Sequence, residues 1–424
     1  MKPLLVMSAP VATRSGYGDH SRDLLRSLIA MDKYDIKVLS QRWGSCPMNA
    51  LGKDDQDIIN VLHFGNLPKQ PDIWIQVTVP NEFQPVGKYN IGITAGIETT
   101  HVSHPWVEGM NRMNVVIVTS EHSKQSFINS VYDKINNQTK QKEGEFRVTT
   151  PMEVLFEGVD TKIWKKTNEI SKTVVDELSS IKESFCFLFV GHWLHGNFGH
   201  DRKDVGGMLK TFFETFKRKK NKPALILKSS QATFSVIDRE AMLKRIRDIA
   251  RQCGEDLPNV YLLHGDLEPE EMNSLYNHPK VKAMISFTHG EGYGRPLAEF
   301  CVTQKPVIAS NWSGQVDFLK HSILLPGELQ EVHPSAQWEN VVIDKSQWFY
   351  VNHLYASRVL KDVHKKYKKY IPDARKQARL IREDMNLDKM TERFTEIMEK
   401  HVKVPEQVAL NMPKITLPKL EKIS

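Results

Sequence analysis

The sequence predicts two doubly wound α/β domains, and three observations predict them. Short apolar runs recur along both halves of the chain, and several are apolar at consecutive rather than alternating positions. That pattern suits strands buried on both faces of a parallel sheet. Amphipathic stretches with helical spacing separate the runs. The length, 424 residues with 40% hydrophobic side chains, supplies two or three cores at about 150 residues per domain.

In the first half the expected strands are 4–8, 36–40, 58–63, 73–79, 91–95, 115–119 and 153–156. A helix over 19–30 carries Leu24, Leu25, Leu28 and Ile29 on one face. The polar stretch 136–145 reads as a loop, and the hydrophilic 162–183 as a linker. The alternation then restarts with 185–190, 224–227, 260–263, 283–287 and 307–309. The first of these strands runs into a helix striped by Val205, Met208, Leu209, Phe212, Phe213 and Phe216. Beyond Pro326 two helices are expected, at 348–369 and 374–402. The predicted organisation is a first domain over 1–160 and a second over 161–370. C-terminal helices over 371–402 follow, with a surface or disordered tail over 403–424.

Charged residues make up 26%, and 58 Lys plus Arg against 51 Asp plus Glu leave +7. These values exclude a wholly disordered, collagen-like or disulfide-scaffold protein. No apolar run approaches the ~20 residues that span a bilayer. The opening residues faintly imitate a secretory leader but read better as a buried strand entering a glycine turn. Cys46, Cys186, Cys253 and Cys301 lie far apart without a C-x-x-C pair, which points to free thiols in a reduced, cytoplasmic setting. Two basic runs, 217–220 and 365–369, read as solvated helix faces. They also leave open a DNA or peripheral membrane contact.

The segment richest in chemistry is 285–299, I-S-F-T-H-G-E-G-Y-G-R-P-L-A-E. A buried strand ends near Phe287, three glycines allow close backbone approach, and Pro296 suits the start of a helix. Glu291 and Glu299 then flank a helix tip able to hold a phosphate oxygen. A second cluster, Asp201-Arg202-Lys203, joins the strand 185–190 to the phenylalanine-striped helix. Cations are disfavoured at a helix N-terminus, so Arg202 and Lys203 invite a functional reading. His192, His195 and His200 share that loop, but their spacing fits no common zinc pattern. Ser15-Gly16-Tyr17-Gly18-Asp19 follows the first strand, and Gly96-Ile97-Glu98-Thr99-Thr100-His101 follows the strand 91–95. Asp55-Gln56-Asp57 spells D-x-D within a polar run and reads as a solvated turn, so no metal is expected.

The Glu-x7-Glu spacing in E-G-Y-G-R-P-L-A-E resembles the retaining glycosyltransferases of family 4, which have the two-domain GT-B fold. The resemblance runs roughly from residue 2 to 402. Glu157-Gly158-Val159-Asp160 is similar to the family's N-G-V-D segment at the domain crossover, with Glu157 in place of Asn. Pro306-Val307-Ile308-Ala309-Ser310 is similar to its P-V-[IV]-A-[ST] strand, and Asp317 stands where Glu is common. The resemblance implies a cleft between the domains, with C-terminal helices crossing back to the first. It implies that Glu299 accepts hydrogen bonds from the ribose diol and that Glu291 holds the transferred sugar. The N–H groups of Gly292, Tyr293 and Gly294 would line the sugar and phosphate. Arg202 and Lys203 would face the diphosphate, although His192 replaces a further Arg. Gly16 and Gly18 would let the first domain approach the donor. His101 is the first choice for a bond to the sugar and Glu98 the second; Lys228 is an additional donor contact.

The expected reaction is metal-independent transfer of a sugar, a hexose or similar, from a nucleoside-diphosphate sugar to an acceptor hydroxyl with retention. UDP and GDP both remain open as the donor nucleotide, and no obligatory cofactor is implied. A saccharide, a lipid-linked sugar and a hydroxymethylpyrimidine base in DNA remain open as acceptors. Phosphorolysis or epimerisation on the same fold, and a non-catalytic sugar-nucleotide-binding module, are the other readings.

Overall fold

The computed structural model describes residues 2–402 apart from Asn137, His195, Asn197 and Ala232. The expected tail at 403–424 therefore lies outside the described residues.

The first domain contains β1 (Leu4–Ala9), β2 (Asp35–Ser40), β3 (Ile73–Val77), β4 (Tyr89–Thr94), β5 (Val115–Val118), β6 (Tyr132–Ile135), β7 (Lys142–Phe146) and β8 (Met152–Val154). Six of them form a parallel sheet in the order β2-β1-β3-β4-β5-β8. All six residues of β1 and all four of β5 are buried, as consecutive apolar positions demand. The second domain contains β9 (Cys186–His192), β10 (Ala224–Ser230), β11 (Val260–Leu263), β12 (Val281–Ser286), β13 (Val307–Ser310) and β14 (Ile323–Leu325). They form a second parallel sheet in the order β11-β10-β9-β12-β13-β14. An antiparallel hairpin, β15 (Gly327–Glu331) with β16 (Gln347–Val351), follows.

In both sheets the winding reverses beside the first strand, between β1 and β3 and between β9 and β12. Open α/β sheets bind ligands outside the carboxyl ends of their strands at such switch points. The glycine loop after β1, the Arg202–Lys203 turn after β9 and the Glu291 loop after β12 all lie there.

The chain crosses between domains twice at one place. The Val159 N–H donates to the Met385 carbonyl and the Leu387 N–H to the Val159 carbonyl, both at 3.0 Å. A Cβ on Gly158 would lie 2.6 Å from the Leu387 Cα, so this crossing requires glycine. The helix Leu387–His401 then buries Met390, Phe394, Ile397 and Met398 among Leu5, Met7, Leu24 and Leu28 of the first domain.

Several sequence expectations change. Residues 367–384 form a helix that stays on the second domain, where Ile381 enters the core and Gln377 Nε2 donates to the Phe318 carbonyl at 2.7 Å. The helix that crosses back therefore begins at Leu387, not at 371. The apolar spacing runs through the break at Met385 and hides it; Asn386 caps the new helix, accepting the Lys389 N–H at 2.8 Å. Residues 58–63 are not a strand. Gln56–Ile59 is helical and only Leu62 bridges Val38, because the acidic run 54–57 starts a helical turn. The presumed loop at 136–145 contains all but the last residue of β7, the second strand of the β6–β7 hairpin, which is too exposed to carry an apolar signature. Trp348–Val351 belongs to β16, and the following helix starts at His353 under an Asn352 cap. With three residues, β14 is too short for any periodicity.

Candidate active site

The loop after β12 leads into the helix Arg295–Cys301, capped by Gly294 at φ +103°. Pro296 is its second residue and Glu299 its fifth, one residue deeper than a helix starting at Pro296 would place it. The Glu291 N–H donates to Ser313 Oγ at 2.8 Å, and the Gly314 N–H donates back to the Glu291 carbonyl at 2.9 Å. Gln315 Nε2 donates to the Ser310 carbonyl at 3.1 Å, and Ser310 Oγ to the Thr288 carbonyl at 2.7 Å. The Glu291 backbone is thus fixed from the neighbouring strand end. The loop also packs against the first domain: a Cβ on Gly292 would lie 2.0 Å from the Ala95 carbonyl oxygen, and one on Gly290 2.3 Å from that of Glu98.

Arg202 and Lys203 close on this loop from the turn after β9. Lys203 Nζ pairs with Glu291 Oε1. Arg202 Nη1 lies 2.8 Å from Glu98 Oε1 and 3.4 Å from Glu291 Oε2. Burial pushes the Glu291 carboxyl up, but Lys203 and Arg202 outweigh it and hold the group below the usual carboxylate range. Asp204 caps the helix Val205–Phe216, accepting the Gly207 N–H at 3.0 Å. Two cations and two carboxylates from both domains thus meet where the switch points face each other. In a buried setting such an array can trade a carboxylate for a diphosphate with the cations already in place.

Glu299 sits in a second buried network. Its Oε1 accepts from Arg295 Nε at 3.0 Å. Arg295 Nη2 lies 2.7 Å from Asp23 Oδ2 in the first domain, and Nη1 lies 3.6 Å from Glu157 Oε2 at the crossover. Burial pushes Glu299 up to about 8 and Glu157 up to about 7, with Arg295 opposing both. For Glu157 the folded state holds a proton that the unfolded chain has lost, so this group's contribution to stability falls as pH rises from about 4.5 to 7. Glu157→Gln removes that loss. Its melting temperature relative to wild type is expected to climb steadily from pH 5 to pH 8; a difference independent of pH would contradict the assignment.

The remaining candidates divide. Gly16 opens the helix Gly16–Met31 with nothing near its missing side chain, whereas a Cβ on Gly18 would lie 2.2 Å from the Thr13 carbonyl oxygen, so Gly18 is required by packing. Tyr293 is buried against Phe318, ring centroids 4.9 Å apart. Lys228 Nζ donates to the Gly265 carbonyl at 2.6 Å. Glu98 joins the cation cluster, whereas His101 Nδ1 pairs with Thr100 Oγ1 at 2.9 Å. His192 meets Ser230 and His200 meets the Tyr350 hydroxyl, while His195 lies outside the described residues. Asp55 and Asp57 both engage Arg26, at 2.5 and 3.1 Å. Among the described residues no three His, Cys, Asp or Glu side chains are grouped to hold a metal ion.

Sequence reasoning missed four participants. Ser313 and Gln315 were legible only as part of a glycine turn, and Arg295 only as a letter in the 285–299 motif. Arg14, which reaches Asp266 and Glu268 of the other domain at 2.8 Å each, gave no signal beyond lying beside Ser15.

No family model matches the chain, and no curated protein matches it. Solved structures do. A glycosyltransferase from Rickettsia africae aligns over 95% of this chain and 99% of its own at 12% identity, with a TM-score of 0.63. Anabaena HepE, in complex with UDP and glucose, aligns over 94% and 100% at 11% identity and 0.58. The trehalose-6-phosphate synthase OtsA aligns over 94% and 99% at 10% identity and 0.60. The fold is GT-B. At these identities the likeness is one of architecture: two parallel-sheet domains, matched over nearly their full length. On this GT-B frame the two charged networks span the facing carboxyl ends of the sheets. Among the described residues no helix is long and apolar enough to cross a membrane. Of the basic runs, Lys217 pairs with Glu214, and Lys366 and Lys369 both approach Asp362.

Proposed function

We propose that the protein is a metal-independent, retaining glycosyltransferase that moves a hexose from a nucleoside diphosphate to an acceptor hydroxyl. The observation that carries this reading is the meeting of buried Lys203 and Glu291 with half-buried Arg202 and Glu98 at the switch points of a GT-B fold. A leaving diphosphate gains negative charge as the glycosidic bond breaks, and fixed cations in a dry crevice stabilise that change. In this reading Lys203 and Arg202 hold the diphosphate, Glu291 and Glu98 hold hydroxyls of the sugar, and Glu299 takes the ribose diol. Gly292, Tyr293 and Gly294 offer N–H groups to the sugar and phosphate, Gly16 admits the donor beside the first domain, and Lys228 serves the nucleotide. UDP, bound in the Anabaena relative, is the first nucleotide to try. Front-face attack by the acceptor, with its proton passing to the departing phosphate oxygen, gives retention. The acceptor enters through a cavity of about 470 Å³ lined by Thr119 and Phe156 of the first domain, Asp317 of the second, and Lys389, Glu392 and Arg393 of the helix that crosses back. Thr119 Oγ1 lies 3.3 Å from the Gly292 carbonyl oxygen, so this cavity adjoins the Glu291 loop.

A thermal-shift screen tests this reading with UDP, GDP, ADP and their sugars. A ligand at one hundred times its Kd stabilises the folded state by about 2.7 kcal/mol. At least one diphosphate is expected to raise the melting temperature, with EDTA making no difference. Glu299→Ala is expected to weaken that binding roughly tenfold to a hundredfold, the cost of losing hydrogen bonds to two ribose hydroxyls. If no nucleotide shifts the transition, the reading fails.

A further inference from the structure

Arg295 stands between the donor-side carboxylate and the opposite domain. Its one guanidinium faces three carboxyl groups, each belonging to a residue only 7% exposed: Glu299 four residues on, Asp23 on the helix Gly16–Met31, and Glu157 at the crossover. Arg295 and Glu299 share one short helix and travel together, whereas Asp23 belongs to the other domain. An arginine four residues from a glutamate on a helix is free to swing and cover both carboxylate oxygens with its fork. Here Nη2 is drawn to 2.7 Å from Asp23 Oδ2 as an ion pair without hydrogen-bond geometry, and the only hydrogen bond from Arg295 to Glu299 runs from Nε to Oε1 among the described residues. Glu299 Oε2 is left out of that contact. His20, buried beside this network, has neither ring nitrogen hydrogen-bonded among the described residues. Burial, with the nearby Arg295, keeps its imidazole uncharged, with a pKa lowered to about 3, so it brings no rival cation.

We propose that Arg295 is a positioning residue that couples nucleotide capture to domain closure: closure hands its outer nitrogen to Asp23 and thereby frees one oxygen of Glu299 for the ribose. The proposal rests on the sugar-nucleotide reading of the site. It makes the closed arrangement the one that binds nucleotide well, through a side chain that need not touch the nucleotide.

The test is a double-mutant cycle on the full chain, read by calorimetric titration with whichever of UDP, GDP and ADP binds wild type. Asp23→Asn leaves Glu299 and Arg295 in place but loosens the draw on Nη2; about tenfold weaker binding is expected. Glu299→Gln is expected to lose about tenfold or more alone. If Asp23 acts through Glu299, the double variant binds no more weakly than Glu299→Gln. Additive losses, or an Asp23→Asn variant that binds like wild type, would overturn the proposal. Should Asp23→Asn fold poorly, Arg295→Lys serves instead. It keeps the charge, loses the fork, and is expected to show the same non-additivity with Glu299→Gln. Wild type that binds none of the three nucleotides sinks the functional reading itself, whereas wild-type binding with additive losses sinks only the coupling.

Discussion

Lys203→Ala lowers turnover roughly tenfold to a thousandfold, the range for removing one group that stabilises developing charge. The reasoning starts from burial. Lys203 is 8% exposed and Glu291 7% exposed, so each is costly to leave alone. Alanine removes the cation nearest to where the leaving diphosphate would sit and also leaves Glu291 with Arg202 at 3.4 Å as its remaining ion-pair partner. Two effects therefore appear together. Single-turnover rates with saturating donor fall, and the unliganded protein melts lower, because breaking a buried pair costs about 3–5 kcal/mol. Lys203→Ala combined with Glu291→Gln separates them: it is expected to recover much of the melting temperature and none of the rate. If Lys203→Ala turns over like wild type, Lys203 has no place at the diphosphate.

Gly292→Ala abolishes most activity while leaving each domain folded. The added methyl would need to sit 2.0 Å from the Ala95 carbonyl oxygen, which lies across the domain boundary. No left-handed backbone is involved; Gly292 is absent from the positive-φ glycines, and the constraint is space alone. One domain must retreat from the other by an ångström or more. A misplacement of that size costs about a hundredfold in rate. Small-angle scattering on the nucleotide complex is expected to show a larger radius of gyration than wild type, with an unchanged far-ultraviolet circular dichroism spectrum. A variant that stays compact and active would show that the loop is not pressed against the first domain during turnover.

The sheets were legible because their strands are buried on both faces, which forces runs such as Val115–Val118 and Cys186–Phe189 to be apolar without interruption. What depends on exposure or on brevity was not. The β6–β7 hairpin looks like a loop because its residues face solvent, and the helix break at Met385 vanishes because apolar spacing continues across it. At the site, the glycine loop and the cations announced themselves through residue types unusual for their positions. Their partners did not. Asp23 reads as one more polar residue on an amphipathic helix until the second domain brings Arg295 to it, and no local pattern encodes that meeting.

The helix Leu387–His401 has a consequence for biosynthesis. Its side chains Met390, Phe394, Ile397 and Met398 complete a hydrophobic layer whose members from Leu5 to Leu155 are made first. Roughly 230 residues separate Gly158 from Met390, and a ribosome working at about 5–20 residues per second needs roughly ten to fifty seconds to cover them. Throughout that interval the nascent first domain carries an uncovered greasy trough, a natural landing place for chaperones and a vulnerable moment for aggregation.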